Sequence, residues 1–415
     1  MRTHTGWLFA AVQLFFTLSW TVYVVFLPEL AGRVGLASSV PTLLLADQLV
    51  FLATDLWVGR YADRARDVFV RGGRWLVAAV VSSSLAFVLV PHARGRALFL
   101  IVVFVWVAAS AALRVPPAAF LSRFAGPRAG QRGAAAYAMG MGVAGALAPY
   151  VQMRIRGKSP VLPFALSSAA VVIAALALVW ALRAELDKAL KDDGDAPLDA
   201  PKTDAPATVA TAAALTLADK RRLAVAVLGA AAAAALAFQV HFALRSAGIF
   251  IKLAGLPSLP NLMPVFWVGF SLSIYPVSRL VTARGALPTM IAATAFGAAG
   301  SLSVEFAPSL PTAVVGQLVT GAAWAATFVS AMSACSSLGH EGEEGRLLGR
   351  FFALLAAATF ARLAIVTAGV DKWPFVAGRL RLLAAVAWGV AALWLLLRAR
   401  HEVLSRNSKG EAPAT

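Results

Sequence analysis

Apolar residues run along this chain in blocks rather than at alternating positions, and short polar stretches separate the blocks. Each block is about 20 residues long, the length a helix needs to cross about 30 Å of hydrocarbon. The spans predicted are 7–31, 40–58, 75–92, 97–121, 133–153 and 160–183, then 223–249, 261–283, 287–306, 309–336, 347–370 and 376–398. A closed barrel also satisfies its backbone in lipid, but its strands alternate with period two. The run from Leu223 to Phe238, LAVAVLGAAAAAALAF, does not alternate. The pattern predicts an all-α polytopic membrane protein with twelve transmembrane helices.

Six spans, a break and six more spans is the layout of two pseudo-symmetric six-helix bundles. The bundles predicted are 1–183 and 223–400, with an interdomain linker over 184–222 and a tail over 401–415. The linker is rich in Ala, Pro and Asp without an aromatic residue, so it cannot bury enough apolar surface to fold alone. It reads as a tether between two moving halves, with a short helix at its Lys188 end, or as plain length. An internal echo supports duplication. The second span ends in LWVGRYADRAR (Leu56 to Arg66) and the eighth in YPVSRLVTARG (Tyr275 to Gly285), with Thr282 opposite Asp63.

Composition and charge narrow the picture. The 415 residues are 60% hydrophobic and 14% charged, and the mean hydropathy is +0.76, a balance that suits a surface facing lipid. A net charge of +17 would suggest nucleic acid as a partner for a soluble protein. Here about 24 Lys and Arg fall in the N-terminus, the even-to-odd loops and the tail, against about 10 in the opposite loops, which places both termini in the cytoplasm. Nucleic acid is therefore not expected as a partner. Cys335 stands alone, which leaves no intrachain disulfide and no thiol metal site. The stretch from Trp7 to Leu30 is too long and too polar-punctuated for a cleavable signal peptide.

Gly59, Asp63 and Arg64, followed by Arg66, Arg71 and Arg74, lie between the second and third spans. This segment resembles the cytoplasmic signature of the major facilitator superfamily: a glycine, three residues, an aspartate, a basic residue and a basic cluster. The resemblance implies a gating latch of Gly59, Asp63, Arg64 and Arg66. The aspartate would rest on the N-terminus of the eleventh helix, near Gly345 to Phe351, where the helix dipole favours an anion. A glycine at 59 would let the helices approach closely. The latch is made when the cytoplasmic side is closed and broken when it opens.

A narrower resemblance begins at Asp55, one turn before Gly59. Asp55 to Arg64, DLWVGRYADR, is similar to the helix-two signature of the glycoside-pentoside-hexuronide cation symporters, the melibiose permease group. The fourth helix of that group often carries a polar residue before an aliphatic–proline pair, and Arg114-Val115-Pro116 fits. Two positions depart from the group. Phe51 stands where sodium-coupled members place a second acid on helix two, and Arg114 where melibiose permease has an acid. An arginine cannot coordinate sodium, so a proton is favoured over sodium as the coupling ion, with no other cofactor. A drug–proton antiporter would show a Gly-Pro-rich fifth helix; AMGMGVAGALAPYV has Gly140, Gly142, Gly145 and Pro149 but no Gly-Pro pair.

Ionisable residues at bilayer depth are costly unless paired or wet, which makes them candidates for a pathway. Asp47 and Asp55 on the second span are separated by about 80° around a helix. Arg114 lies at a depth similar to Asp55 and is its preferred partner. His241 and Arg245 share a face of the seventh span, where a snorkelling anchor is the favoured reading of Arg245. Arg362 falls near the middle of the eleventh span and reads either as a substrate contact or as half of a static salt bridge. Melibiose-type carriers also hold a basic residue there. Spans one, four, seven and ten line the cavity of such carriers, which implicates Gln13, Trp20, Tyr23, Gln239, His241, Arg245 and Trp324.

The function expected is secondary active transport of a small solute of unknown class by alternating access. Alternatives on the same fold are a lipid or amphiphile flippase and a drug exporter. A non-transporting sensor would share every feature. A membrane-embedded enzyme would need a cluster of nucleophile, base or metal ligands; histidines scattered at 4, 92, 241, 340 and 401 supply neither a catalytic nor a metal site. The resemblance implies a monomer in contact with membrane lipid, in the bacterial cytoplasmic (inner) membrane.

Overall fold

The computed structural model describes residues 3–64, 73–111, 114, 127–192, 216–339 and 342–408. The first half forms α1 (Thr3–Arg33), α2 (Val40–Arg64), α3 (Gly73–Leu89), α4 (Arg96–Ala111), α5 (Pro127–Ile155) and α6 (Val161–Asp192). The second half forms α7 (Leu217–Ala254), α8 (Pro264–Arg284), α9 (Ala286–Glu305), α10 (Leu310–Leu338), α11 (Glu344–Thr367) and α12 (Pro374–Ser408). No strand occurs among the described residues. Among the described residues ten helices are long and apolar enough to cross a bilayer, and the third and fourth are shorter apolar helices.

The packing repeats with a period of six helices. Contacts of α1 with α5 and α6 recur as α7 with α11 and α12; α2 with α4 as α8 with α10; α3 with α4 and α6 as α9 with α10 and α12. Each half centres on one tryptophan of its fourth helix. Trp106 of α4 stacks on Trp20 at 5.3 Å and packs on Phe87; Trp324 of α10 stacks on Phe238 at 4.9 Å and meets Trp388 edge-on. Outward faces carry large apolar side chains such as Ile173, Trp180, Leu272, Phe296 and Val386, all exposed. Water would make such a surface costly, whereas hydrocarbon solvates it.

The halves meet through α5 on α10 and through two symmetry-related contacts, α2 on α11 and α5 on α8. Both use glycine, because lipid offers no hydrophobic drive and helices associate through close packing. A Cβ on Gly349 would stand 2.5 Å from the Asp55 carbonyl oxygen, and one on Gly345 2.6 Å from that of Gly59. On the other side, Gly142 abuts Phe270 and Ser271, and Gly145 lies against the Trp267 ring.

Several boundaries differ from those predicted. The helix of α6 runs through Lys188 to Asp192, and α7 begins at Leu217 with Thr216 as its cap, accepting from the Asp219 N–H at 3.2 Å. The linker predicted over 184–222 is therefore helical at both ends; residues 193–215 lie outside the described residues. The polar positions 184–192 are mostly strong helix formers, so the helix continues where the apolar block stops. Helix α12 also continues through 401–408, where Glu402, Leu404 and Arg406 are the helix formers among weaker residues. The fourth span, predicted to reach 121, is a described helix only to Ala111, and Arg114 stands in the turn that follows, its N–H on the Ala111 carbonyl at 3.1 Å. The other residues of 112–126 lie outside the described residues.

Alanine at Gly59, Gly345 or Gly349 should separate α2 from α11 and cost about 1–3 kcal/mol of stability. Alanine at Gly248, which meets nothing within 4 Å, is the neutral control. Thermal unfolding of the purified variants in detergent checks this.

Candidate functional site

Helix α2 carries three acids eight residues apart, and 8 residues advance a helix by about 12 Å while turning it by about 80°. Asp47, Asp55 and Asp63 consequently meet three different neighbours. Asp63, at the end of α2, reaches the N-terminus of α11. Its Oδ1 accepts from the Gly345 N–H at 2.7 Å and its Oδ2 from the Arg346 N–H at 2.9 Å. These are donors that the first turn of a helix cannot satisfy internally, at the end where its dipole is positive. Arg346 also holds Glu343 at 2.6 Å. Arg66 and Arg71 and the side chains of Arg64 and Arg74 lie outside the described residues.

Asp55 is fully buried and its Oδ2 accepts from Arg114 Nη2 at 2.8 Å. The Arg114 Cζ lies 4.0 Å from the centre of the Phe51 ring and 5.9 Å from that of Phe352 on α11. The two positions that depart from the melibiose-type pattern are thus partners of each other, the ring face of Phe51 meeting the guanidinium of Arg114. Beside them Tyr137 of α5 packs across the two halves, stacked on Phe328 at 5.7 Å and tilted on Phe352 at 5.3 Å.

Asp47 is also fully buried. Tyr23 donates its hydroxyl to Asp47 Oδ2 at 2.8 Å, and Asp47 Oδ1 has no hydrogen-bond partner. Trp20 and Trp106 close over the Tyr23 ring. No cation pairs with Asp47 among the described residues, in contrast to Asp55.

In the second half, α7 contains a π-helical stretch, Gln239–Ser246. Gln239 donates to Thr359 of α11 at 2.9 Å. His241 is buried, with Nε2 2.8 Å from Gln317 Oε1, and Gln317 donates in turn to Ser246 at 3.1 Å. Arg245 forms two bonds to Glu305 of α9, at 2.6 and 3.0 Å, and Arg381 of α12 shares that carboxylate at 3.0 Å.

The favoured snorkelling of Arg245 is therefore replaced by an ion pair, and His241 and Arg245 point to separate helices instead of one shared site. Trp324 is buried in the core of its half. Gln13 is buried on the side of α1 that faces Gly140 of α5. Arg362 lies five residues before the end of α11 rather than at its middle, and its buried Nε has no partner. Glu305, Gln317 and Tyr137 were missed in the sequence. An acid closing an otherwise apolar block was the available signal for Glu305; nothing local marks the other two.

The arrangement of twelve helices can now be compared with known proteins. The human organic anion transporter MFSD10 is similar in structure with a TM-score of 0.67 at 16% identity, over 95% of this chain and 98% of that one. For the proton:xylose symporter XylE bound to 6-bromo-6-deoxy-D-glucose the TM-score is 0.67 at 13% identity, over 94% of each chain. For the E. coli fucose:proton symporter FucP it is 0.60 at 13% identity, over 95% and 98%. The chain has the major facilitator fold. No family model matches its sequence, and no curated protein matches it either. Within the major facilitator fold, α2–α11 and α5–α8 are the contacts that any movement of one half against the other must break or slide.

Removing one member of the Asp55–Arg114 pair leaves a buried charge without compensation, which costs about 3–5 kcal/mol. Asp55→Asn and Arg114→Met should each lower the unfolding temperature strongly, and the double variant should recover much of the loss. A double-mutant cycle by thermal unfolding reads the coupling.

Proposed function

We propose that this protein is a secondary active transporter that moves a small solute across the membrane by alternating access, coupled to a proton. The observation that carries the reading is the Asp63 latch on the N-terminus of α11, where its carboxylate accepts from the Gly345 and Arg346 N–H groups across the two halves. Such a contact closes the face that carries the chain ends and can be broken reversibly. The similarity to two proton-coupled sugar symporters and an organic anion transporter supports transport as the use of this fold. The halves 1–183 and 223–400 act as the rocking bodies, in the bacterial inner membrane, with termini in the cytoplasm.

The charge pattern supports a proton over sodium. Asp55 is neutralised by Arg114, and Phe51 offers no oxygen. Asp47 has a hydroxyl donor but no counter-cation, so it is the acid free to exchange a proton. A melibiose-type sodium site would need the oxygens that these positions lack.

Proteoliposomes loaded with a pH-sensitive dye test the reading against a panel of sugars and organic anions. At least one solute should move protons with it in the wild type. Asp47→Asn should lose proton movement while keeping solute counterflow, and Asp63→Asn should impair net flux and speed alkylation of buried Cys335. Flux driven by sodium alone, or no proton movement with any solute, rejects proton coupling.

A further inference from the structure

Every partly enclosed arginine in the described structure but one is accounted for. Arg114 holds Asp55, Arg245 holds Glu305, and Arg346 holds Glu343. Arg362, half-buried in the second-last turn of α11, makes neither a hydrogen bond nor an ion pair, and its Nε is enclosed. The next acid along the chain, Asp371, lies in the turn after α11 and does not pair with it. A guanidinium stays charged at any physiological pH, so this one cannot discharge itself to escape the cost of enclosure.

The surroundings are those of a binding position. One turn below, on the same side of α11, Thr359 accepts from Gln239 of the π-helical stretch of α7. A side chain three residues on lies above that bond. Arg362 therefore shares the side of α11 on which Thr359 meets Gln239 of α7, a helix of the same half.

We infer that Arg362 is the anion contact of a substrate site, and that the cargo is a small organic anion carrying a carboxylate. The missing counter-charge arrives with the ligand and leaves with it. A planar guanidinium matches a carboxylate with two parallel bonds, which a neutral sugar cannot supply. Gln239 and Thr359 complete the contact with neutral polar groups. This inference rests on the transport reading, but binding to Arg362 requires no flux.

The test uses the purified full chain in detergent and follows thermal unfolding by tryptophan fluorescence. The probes are sodium acetate, succinate, citrate and phosphate, each matched in ionic strength with sodium chloride, with xylose and fucose as neutral controls. At least one carboxylate should raise the unfolding temperature saturably, because a ligand stabilises the state it binds. Arg362→Gln should weaken that response roughly tenfold or more, and Arg362→Lys less. Without ligand, Arg362→Gln should be as stable as the wild type or more so, since it removes an unpaired charge. A saturable carboxylate response that persists in Arg362→Gln overturns the inference, as does a panel in which no anion exceeds chloride. A ligand-free loss of stability shared by Arg362→Gln and Asp371→Asn also overturns it, since that marks a static pair. A protein that binds a carboxylate through Arg362 yet fails every flux assay keeps this inference and loses the transport reading.

Discussion

The carboxylate of Asp63 on the first turn of α11 is the constraint around which the two halves are arranged. It can reach the Gly345 and Arg346 N–H groups only because α2 and α11 touch backbone to backbone. That approach needs glycine at 59, 345 and 349 together; a single methyl group would collide with a carbonyl oxygen. Close contact also brings Phe352 beside the Arg114 guanidinium and lets Tyr137 rest on Phe328 and Phe352. The seal between the halves is therefore polar at its end and aromatic behind it. Hydrogen bonds to a helix terminus and ring contacts both separate without breaking a covalent or deeply packed element.

The same helix distributes charge with depth. Three acids on one eight-residue repeat face a hydroxyl, an arginine and a helix terminus in turn. These are three ways of holding an anion: a single hydroxyl for Asp47, a full counter-charge for Asp55 and the backbone N–H groups of a helix terminus for Asp63. The second half has no counterpart on α8, where Thr282 takes the place of Asp63 and bonds to Gln131 of α5 at 2.9 Å. Its interhelical ion pairs sit instead on α7, α9 and α12, where Arg245 and Arg381 share Glu305. The duplication thus conserves packing, with Trp106 and Trp324 in matching places, while the polar chemistry has diverged between the halves.

The twelve spans and the division into six and six were legible along the chain, and the contact of Asp63 with the N-terminus of α11 was expected from the resemblance. Block length against the thickness of hydrocarbon determines a helix without any knowledge of its neighbours. A glycine and an aspartate at a helix end carry their own physical reason. Helix ends were less legible, because polar helix formers extend α6 and α12 beyond the apolar signal.

What the linear pattern left open was the fate of each buried charge. Asp55 with Arg114 could be anticipated from similar depth, but the Phe51 ring beneath that guanidinium could not. Arg245 read as an anchor until Glu305, sixty residues away, came within 2.6 Å. His241 and Arg245, one turn apart in sequence, bond to different helices, His241 to Gln317 of α10 and Arg245 to Glu305 of α9. By itself the sequence determined solvent and spans, since both depend on hydrophobicity and block length. Only the tertiary structure decided which acids are compensated and that Arg362 stands without a partner, because ion pairing depends on contacts between helices far apart in the chain.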